Sequence, residues 1–107
     1  LGKKVFLPSE VVEEIYKRKK ALGNKRDALH LAISSLLDEV EKEENIEIVW
    51  NRKFWLGKVY IRDSNLERLR NLAEKYNCSY GRVLLSYLLK KKKKEGILGY
   101  MGVGRNG

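Results

Sequence analysis

Two short stretches of this chain set hydrogen-bond donors and aromatic rings at alternate positions. Lys4 and Phe6 do so in Lys4-Val5-Phe6-Leu7, and Lys58, Tyr60 and Arg62 in Lys58-Val59-Tyr60-Ile61-Arg62. Ammonium and guanidinium groups donate to acceptors on anionic or base-edge surfaces, and a flat ring beside them adds apolar contact. Period-two alternation is the mark of a strand with one buried face, so Val5, Leu7, Val59 and Ile61 are expected inward. Lys4, Phe6, Lys58, Tyr60 and Arg62 are then left on the outer face. Slipping either strand by one residue would exchange the faces and bury Lys4 and Lys58, which is costly for unpaired charges. Nothing comparable exists for acid–base or covalent chemistry. His30 and Cys78 are the sole residues of their kinds, with no metal-ligand spacing and no nucleophile–base pair. They are expected to be packing residues in a protein with no catalytic group, no cofactor and no metal.

The residues after each stretch are alike in pattern. At an offset of 54 residues, Ser9 falls on Asp63, Val12 on Leu66, Ile15 on Leu69 and Leu22 on Tyr76. One residue is gained in the next turn, and at an offset of 55 Asn24 falls on Ser79, Ala28 on Val83, Leu29 on Leu84 and Ile33 on Leu88. The match ends where Leu36 and Leu37 meet Lys91 and Lys92. A strand and two helices, duplicated, are the expected elements.

In the first copy Pro8 and Ser9 open a helix over Glu10 to Leu22, which Gly23 stops, and Asn24 caps a second helix. That second helix carries the broad apolar stripe Ala28, Leu29, Ala32, Ile33, Leu36, Leu37 and Val40. In the second copy Lys58 to Arg62 form the strand, Asp63 caps a helix over Ser64 to Tyr76, and Ser79 opens the last helix. The chain divides into a first repeat at 1–44, an apolar linker at 45–57, a second repeat at 58–95 and a Gly-rich tail at 96–107.

The linker contains Ile46, Ile48, Val49, Trp50, Phe54, Trp55 and Leu56 and must pack on something. It fits either an extended crossing or an additional strand over Ile46 to Trp50. A helix of about 18 residues spans about 27 Å, and 12 extended residues cover about 40 Å, so a crossing can return the second strand beside the first. The tail reads as a loose segment unless a partner orders it.

A unit of about 45 residues buries too little surface to stand alone, so the two copies are expected to share one core. Net charge is +9, and its distribution is uneven: residues 1–45 hold nine basic and nine acidic side chains, residues 46–107 fourteen and five. Such an excess favours a polyanionic partner, most commonly nucleic acid. The run Lys90 to Lys94 fits either a phosphate-holding role or a complement to the acidic run Asp38 to Glu44. Lys17 to Lys20 reads as a solvated helix end. No apolar run approaches the roughly 20 residues of a bilayer span, and no signal-peptide pattern is present. With a lone cysteine, this points to a reducing, cytoplasmic setting, while a start at Leu1 leaves room for a missing N-terminal piece. Absence of Gln and Thr with abundant Lys, Glu and Ile is compatible with a thermophilic source or an A/T-rich genome.

Two strands pairing antiparallel over four helices would form a ribbon with that basic and aromatic outer face, a shape that fits the DNA major groove. The whole pattern resembles the ribbon-helix-helix regulators of the Arc and MetJ type, with two copies fused in one chain as in regulators encoded by archaeal viruses. The resemblance spans residues 3–44 and 58–95 and implies a mainly α fold with a two-stranded antiparallel ribbon, a tandem pseudo-dimer sharing one core. It implies a sequence-selective regulator of transcription, such as a repressor, on double-stranded DNA, with Lys4, Phe6, Lys58, Tyr60 and Arg62 reading bases. The start of each second helix would hold a phosphate, through Asn24, Lys25 and Arg26 in one copy and Ser79, Tyr80 and Arg82 in the other. Helix starts attract anions on their own account. Family readers are usually polar at the middle strand position, where this chain has Phe6 and Tyr60, so apolar contact and DNA shape would carry more of the selectivity. Two alternatives stay open: an antitoxin-like protein-interaction module whose tail folds on a protein, and an architectural protein coating DNA with little sequence preference. Exposed aromatics in linker and tail would suit higher oligomers on DNA.

Overall fold

A seven-residue strand holds only if a partner takes up its backbone groups and something covers its apolar face. The computed structural model, which describes the backbone of residues 1–106 and the side chains of residues 1–95, meets both needs. Its elements are β1 (Gly2–Pro8), α1 (Ser9–Ala21), α2 (Ala28–Lys42), β2 (Leu56–Arg62), α3 (Asp63–Tyr76) and α4 (Tyr80–Asn106). The fold is mainly helical, with β1 and β2 paired antiparallel in one two-stranded sheet. Val5 lies opposite Val59, Lys4 opposite Tyr60 and Phe6 opposite Lys58, and the ends pair Gly2 with Arg62 and Pro8 with Leu56.

Val5, Leu7, Val59 and Ile61 point into the protein and are buried, as the alternation requires. Beneath them, buried residues of all four helices and Ile46 join the same apolar cluster. Each helix start in turn supports the ribbon: α4 touches β1, and α2 touches β2. Gly81 in the first turn of α4 lies so close to β1 that a Cβ there would come within 2.9 Å of Pro8 Cδ. In α4 the run Val83 to Leu88 is buried on all sides, Ser86 and Tyr87 included, because the helix packs against α1, α3 and β1. The hydroxyls find partners, Ser86 Oγ accepting from Val49 N at 3.0 Å and Tyr87 donating to Glu39 at 2.9 Å. Lysines of α4 reach acids of α2, Lys90 pairing with Glu43 at 3.2 Å and Lys91 with Glu39 at 3.1 Å. Part of the lysine run thus faces the acidic run, the second of the two roles its sequence fits.

Asn65 of α3 is a polar residue in this interior, 1% exposed. Its amide exchanges hydrogen bonds with Ser34 of α2, lies 3.2 Å from Nδ1 of His30, and accepts from Arg68 at 3.3 Å. Arg68 also bonds Asp38 and Glu41 of α2. The α2–α3 contact is therefore a polar seam, whereas at the α1–α4 contact Val11 and Leu85 are fully buried.

Several boundaries differ from the sequence expectation. The second helix opens at Ala28 with Asp27 at its cap, not at Asn24. Gly23 (φ 66°) stops α1 as expected, but Asp27 is also left-handed (φ 60°), and the turn between them delays α2. Ser9 and Asp63 sit one residue inside their helices, after Pro8 and Arg62, and neither cap residue uses its side chain. Strand pairing runs to Pro8 and Arg62, so each helix follows its strand directly and starts one residue earlier than expected. Ser79 does cap α4, accepting from Arg82 N at 3.3 Å. The linker forms no additional strand; it crosses in extended form, with Ile46 buried and its N–H donating to the Tyr76 hydroxyl at 3.2 Å. Both strands are longer than read, since Gly2, Leu56 and Gly57 pair as well. The segment expected as a loose tail at 96–107 is instead helical in its backbone as far as Asn106, as the last part of α4, because the helix opened at Ser79 continues through the glycines. Among the described residues, no helix is long and apolar enough to cross a membrane.

Candidate nucleic-acid interface

Strand alternation and antiparallel register together decide what the outer face presents. Lys4 opposite Tyr60 and Phe6 opposite Lys58 make a checkerboard of two ammonium groups and two rings. Phe6 is 57% exposed and Tyr60 43%, large fractions for aromatic side chains on a sheet already covered on its other face. The Lys58 ammonium stands 5.6 Å from the Phe6 ring centre, a cation–π contact that steadies both groups without covering them. Leu56, 58% exposed, extends the row at one end. Sequence reading missed it because Leu56 follows Trp55 and was assigned to the linker; its even spacing from Lys58 and Tyr60 was the available signal. Neither strand contains an acidic residue, and from Ile48 to Arg62 the chain has Arg52, Lys53, Lys58 and Arg62 with no Asp or Glu.

At the other end of the row Arg62 is exposed but not free. Its guanidinium is ion-paired with the Asp27 carboxylate at the start of α2, and this hydrogen bond holds the Asp27 carboxyl below its usual range. The pair draws the α1–α2 turn beside the ribbon and cancels an acid that would otherwise repel an anion at that helix start. Asn24, Lys25 and Arg26 lie exposed on this turn. A shallow depression lined by Asp27, Leu29, His30, Tyr60 and Arg62 joins the turn to the ribbon.

The corresponding flank at α4 is built differently. Arg82 Nη1 donates to the carbonyls of Val49 at 2.7 Å, Trp50 at 3.3 Å and Arg52 at 3.4 Å, and its guanidinium lies 5.1 Å from the Phe54 ring. Tyr80 packs against the core, and Ser79 is occupied as the cap. Of the residues expected to clamp phosphate, those of the first copy are therefore available on the surface, whereas Ser79, Tyr80 and Arg82 are engaged within the protein. What the α4 start offers is the first-turn N–H groups that Ser79 leaves uncapped and the positive end of the helix dipole.

The face offers donors, cations and rings, a set that binds anions and base edges. His30 lies in the polar seam, and burial pushes the Cys78 thiol up, away from thiolate chemistry. Among the described residues, no group of three His, Cys, Asp or Glu could hold a metal ion. No protein-family model, no curated protein and no solved structure matches this chain.

Proposed function

We propose that this chain is a sequence-selective, double-stranded DNA-binding regulator of transcription that inserts the β1–β2 ribbon into the major groove, as a tandem ribbon-helix-helix pseudo-dimer. The observation that carries the reading is the agreement between strand register and repeat. Val5 and Val59 are equivalent by the 54-residue offset and lie directly opposite each other. A two-fold axis through that pair exchanges Lys4 with Lys58 and Phe6 with Tyr60, so that Lys4·Tyr60 maps onto Phe6·Lys58. Helix neighbours exchange in the same way, α1–α2 with α3–α4, α2–α3 with α4–α1, and α4–β1 with α2–β2.

This symmetry suits B-DNA, whose backbone has a local two-fold of its own, and sets a helix start at each end of the ribbon. Lys4 and Lys58 would donate to guanine O6 and N7, while Phe6 and Tyr60 would rest on thymine methyls. Asn24, Lys25 and Arg26 would grip phosphate on one side and the α4 backbone on the other. The two halves are not identical, since Arg62 corresponds to Pro8 and Leu56 to Gly2, so the site need not be palindromic.

The test is selection of bound duplexes from a random pool at about 150 mM salt, where phosphate attraction is screened and base contacts persist. The parent is expected to enrich a motif, and Lys58→Ala/Tyr60→Ala to lose it and bind the enriched duplex about 10- to 100-fold more weakly. Binding without enrichment, unchanged in the variant, would sink the ribbon reading in favour of a coating protein.

A further inference from the structure

The linker segment Trp50 to Leu56 is fixed on one side and bare on the other. Arg82 binds three of its neighbouring carbonyls, Arg52 pairs with Glu10 at 2.7 Å, Val49 N donates to Ser86, and Ser9 N donates to the Trp55 carbonyl at 2.7 Å. Such anchoring leaves little conformational entropy to lose on binding. Yet Trp55 is 86% exposed and Trp50 60%, with Lys53 also exposed between them. Exposed rings carried on an anchored backbone beside cations mark an interaction surface.

We propose that this segment is a second DNA-contact element, seated on the duplex just beyond the Pro8–Leu56 end of the ribbon. The inference rests on the ribbon reading of the function. Three observations favour DNA as the occupant. Leu56 continues the outer row of Lys58 and Tyr60, so the segment runs into the ribbon face without a break. Its charge is wholly basic, and no acid intervenes between it and Arg62. A second copy docking the same segment symmetrically would bring like charge against like, because the net excess of +9 lies in this half. Trp55 would lie along sugar or base edges, Lys53 against phosphate, and the contact would extend recognition on one flank. At the other ribbon end the α1–α2 turn presents Asn24, Lys25 and Arg26, with Tyr16 beside Asn24 and no tryptophan.

The experiment compares the parent, Lys53→Ala/Trp55→Ala and Lys58→Ala/Tyr60→Ala by hydroxyl-radical footprinting and titration. The probe is the duplex enriched by the parent, with both flanks or with either flank trimmed. The parent is expected to protect one flank beyond the ribbon site, and trimming that flank to weaken it about 10-fold. Lys53→Ala/Trp55→Ala should lose the flank protection, keep the central one, and be indifferent to trimming. A melt followed by circular dichroism should match the parent, since both side chains are exposed. A linker variant with the parent's footprint and affinity would overturn the inference and leave the ribbon reading intact. So would a variant that lowers only the number of chains bound per long duplex, which would make this surface a contact between copies. Central protection unchanged in Lys58→Ala/Tyr60→Ala would remove the ribbon reading, and this inference with it.

Discussion

The α2–α3 and α1–α4 contacts, at each of which a helix of one repeat meets a helix of the other, are built from different chemistry. At the α2–α3 contact, Asn65 joins His30, Ser34 and Arg68 in a buried polar group. The 54- and 55-residue offsets set Val11 in the place of Asn65, Leu85 in that of His30 and Leu89 in that of Ser34, so the α1–α4 contact is apolar. Under the proposed pseudo-two-fold these seams are equivalent, and the difference decides which halves can pair. Two first repeats would set Val11 against His30 and Ser34; two second repeats would bury the Asn65 amide among leucines. Either leaves polar groups without their present partners, the buried Asn65 amide at about 1–3 kcal/mol and the half-buried His30 and Ser34 at less. Only the combination present in one chain satisfies both seams. Under that proposal the chain favours pairing its own two repeats over pairing two copies of either.

Breaking the apolar seam should have the largest effect. Val11→Asn places an amide where nothing can pair with it and is expected to cost about 3 kcal/mol, read as a lower urea midpoint with unchanged slope. A loss under about 1 kcal/mol would mean that water or a neighbouring group reaches the site, and the seams would then be less different than their composition. Asn65→Val attacks the other side. It deprives Ser34, His30 and Arg68 of a partner, but all three are only partly buried and can turn to water, so about 1–2 kcal/mol is expected from the same titration. Stabilisation instead would show that the polar seam is held for pairing specificity at a cost in stability.

Sequence made the seams' existence legible and hid their chemistry. The repeat offset located equivalent positions, and the alternation of Val5, Leu7, Val59 and Ile61 placed the ribbon face, because period and burial are local properties. Asn65 gave no such signal: it reads as an exposed polar residue of an amphipathic helix until His30 and Ser34, more than 30 positions away, come into contact with it. Asn24 was an acceptable cap by type, but the choice of Asp27 depends on Arg62 across the ribbon end, which only the folded chain brings near. Arg82 looked like a phosphate ligand for the same reason; nothing local shows that three carbonyls of the linker converge on its guanidinium.

Charge sharpens the comparison further, since the last turns of α2 are acidic where α4 carries the Lys90 to Lys94 run. Glu39 joins three helices through Arg18 of α1 at 2.6 Å and Tyr87 and Lys91 of α4. The Arg18 guanidinium, with Tyr87 and Lys91 assisting and burial opposing, lowers the Glu39 carboxyl from 4.5 to about 2. A carboxyl depressed on folding stabilises fully above its unfolded value and loses that contribution as pH falls through the folded one. Glu39→Gln is therefore expected to lower stability at neutral pH and to approach the parent between about pH 4.5 and 2. Because the side chain is 36% exposed, solvent screening keeps the difference near 1 kcal/mol, the smallest of these effects. Lys94→Gln, in the lysine run of α4, is the control: Lys94 is exposed, and its loss should leave the acid limb unchanged. If both variants flatten that limb equally, overall charge balance and not the Glu39 junction is responsible. If only Glu39→Gln does, the two second helices are held together by a contact that neither a pair of first repeats nor a pair of second repeats could form, since one would oppose acid to acid and the other base to base.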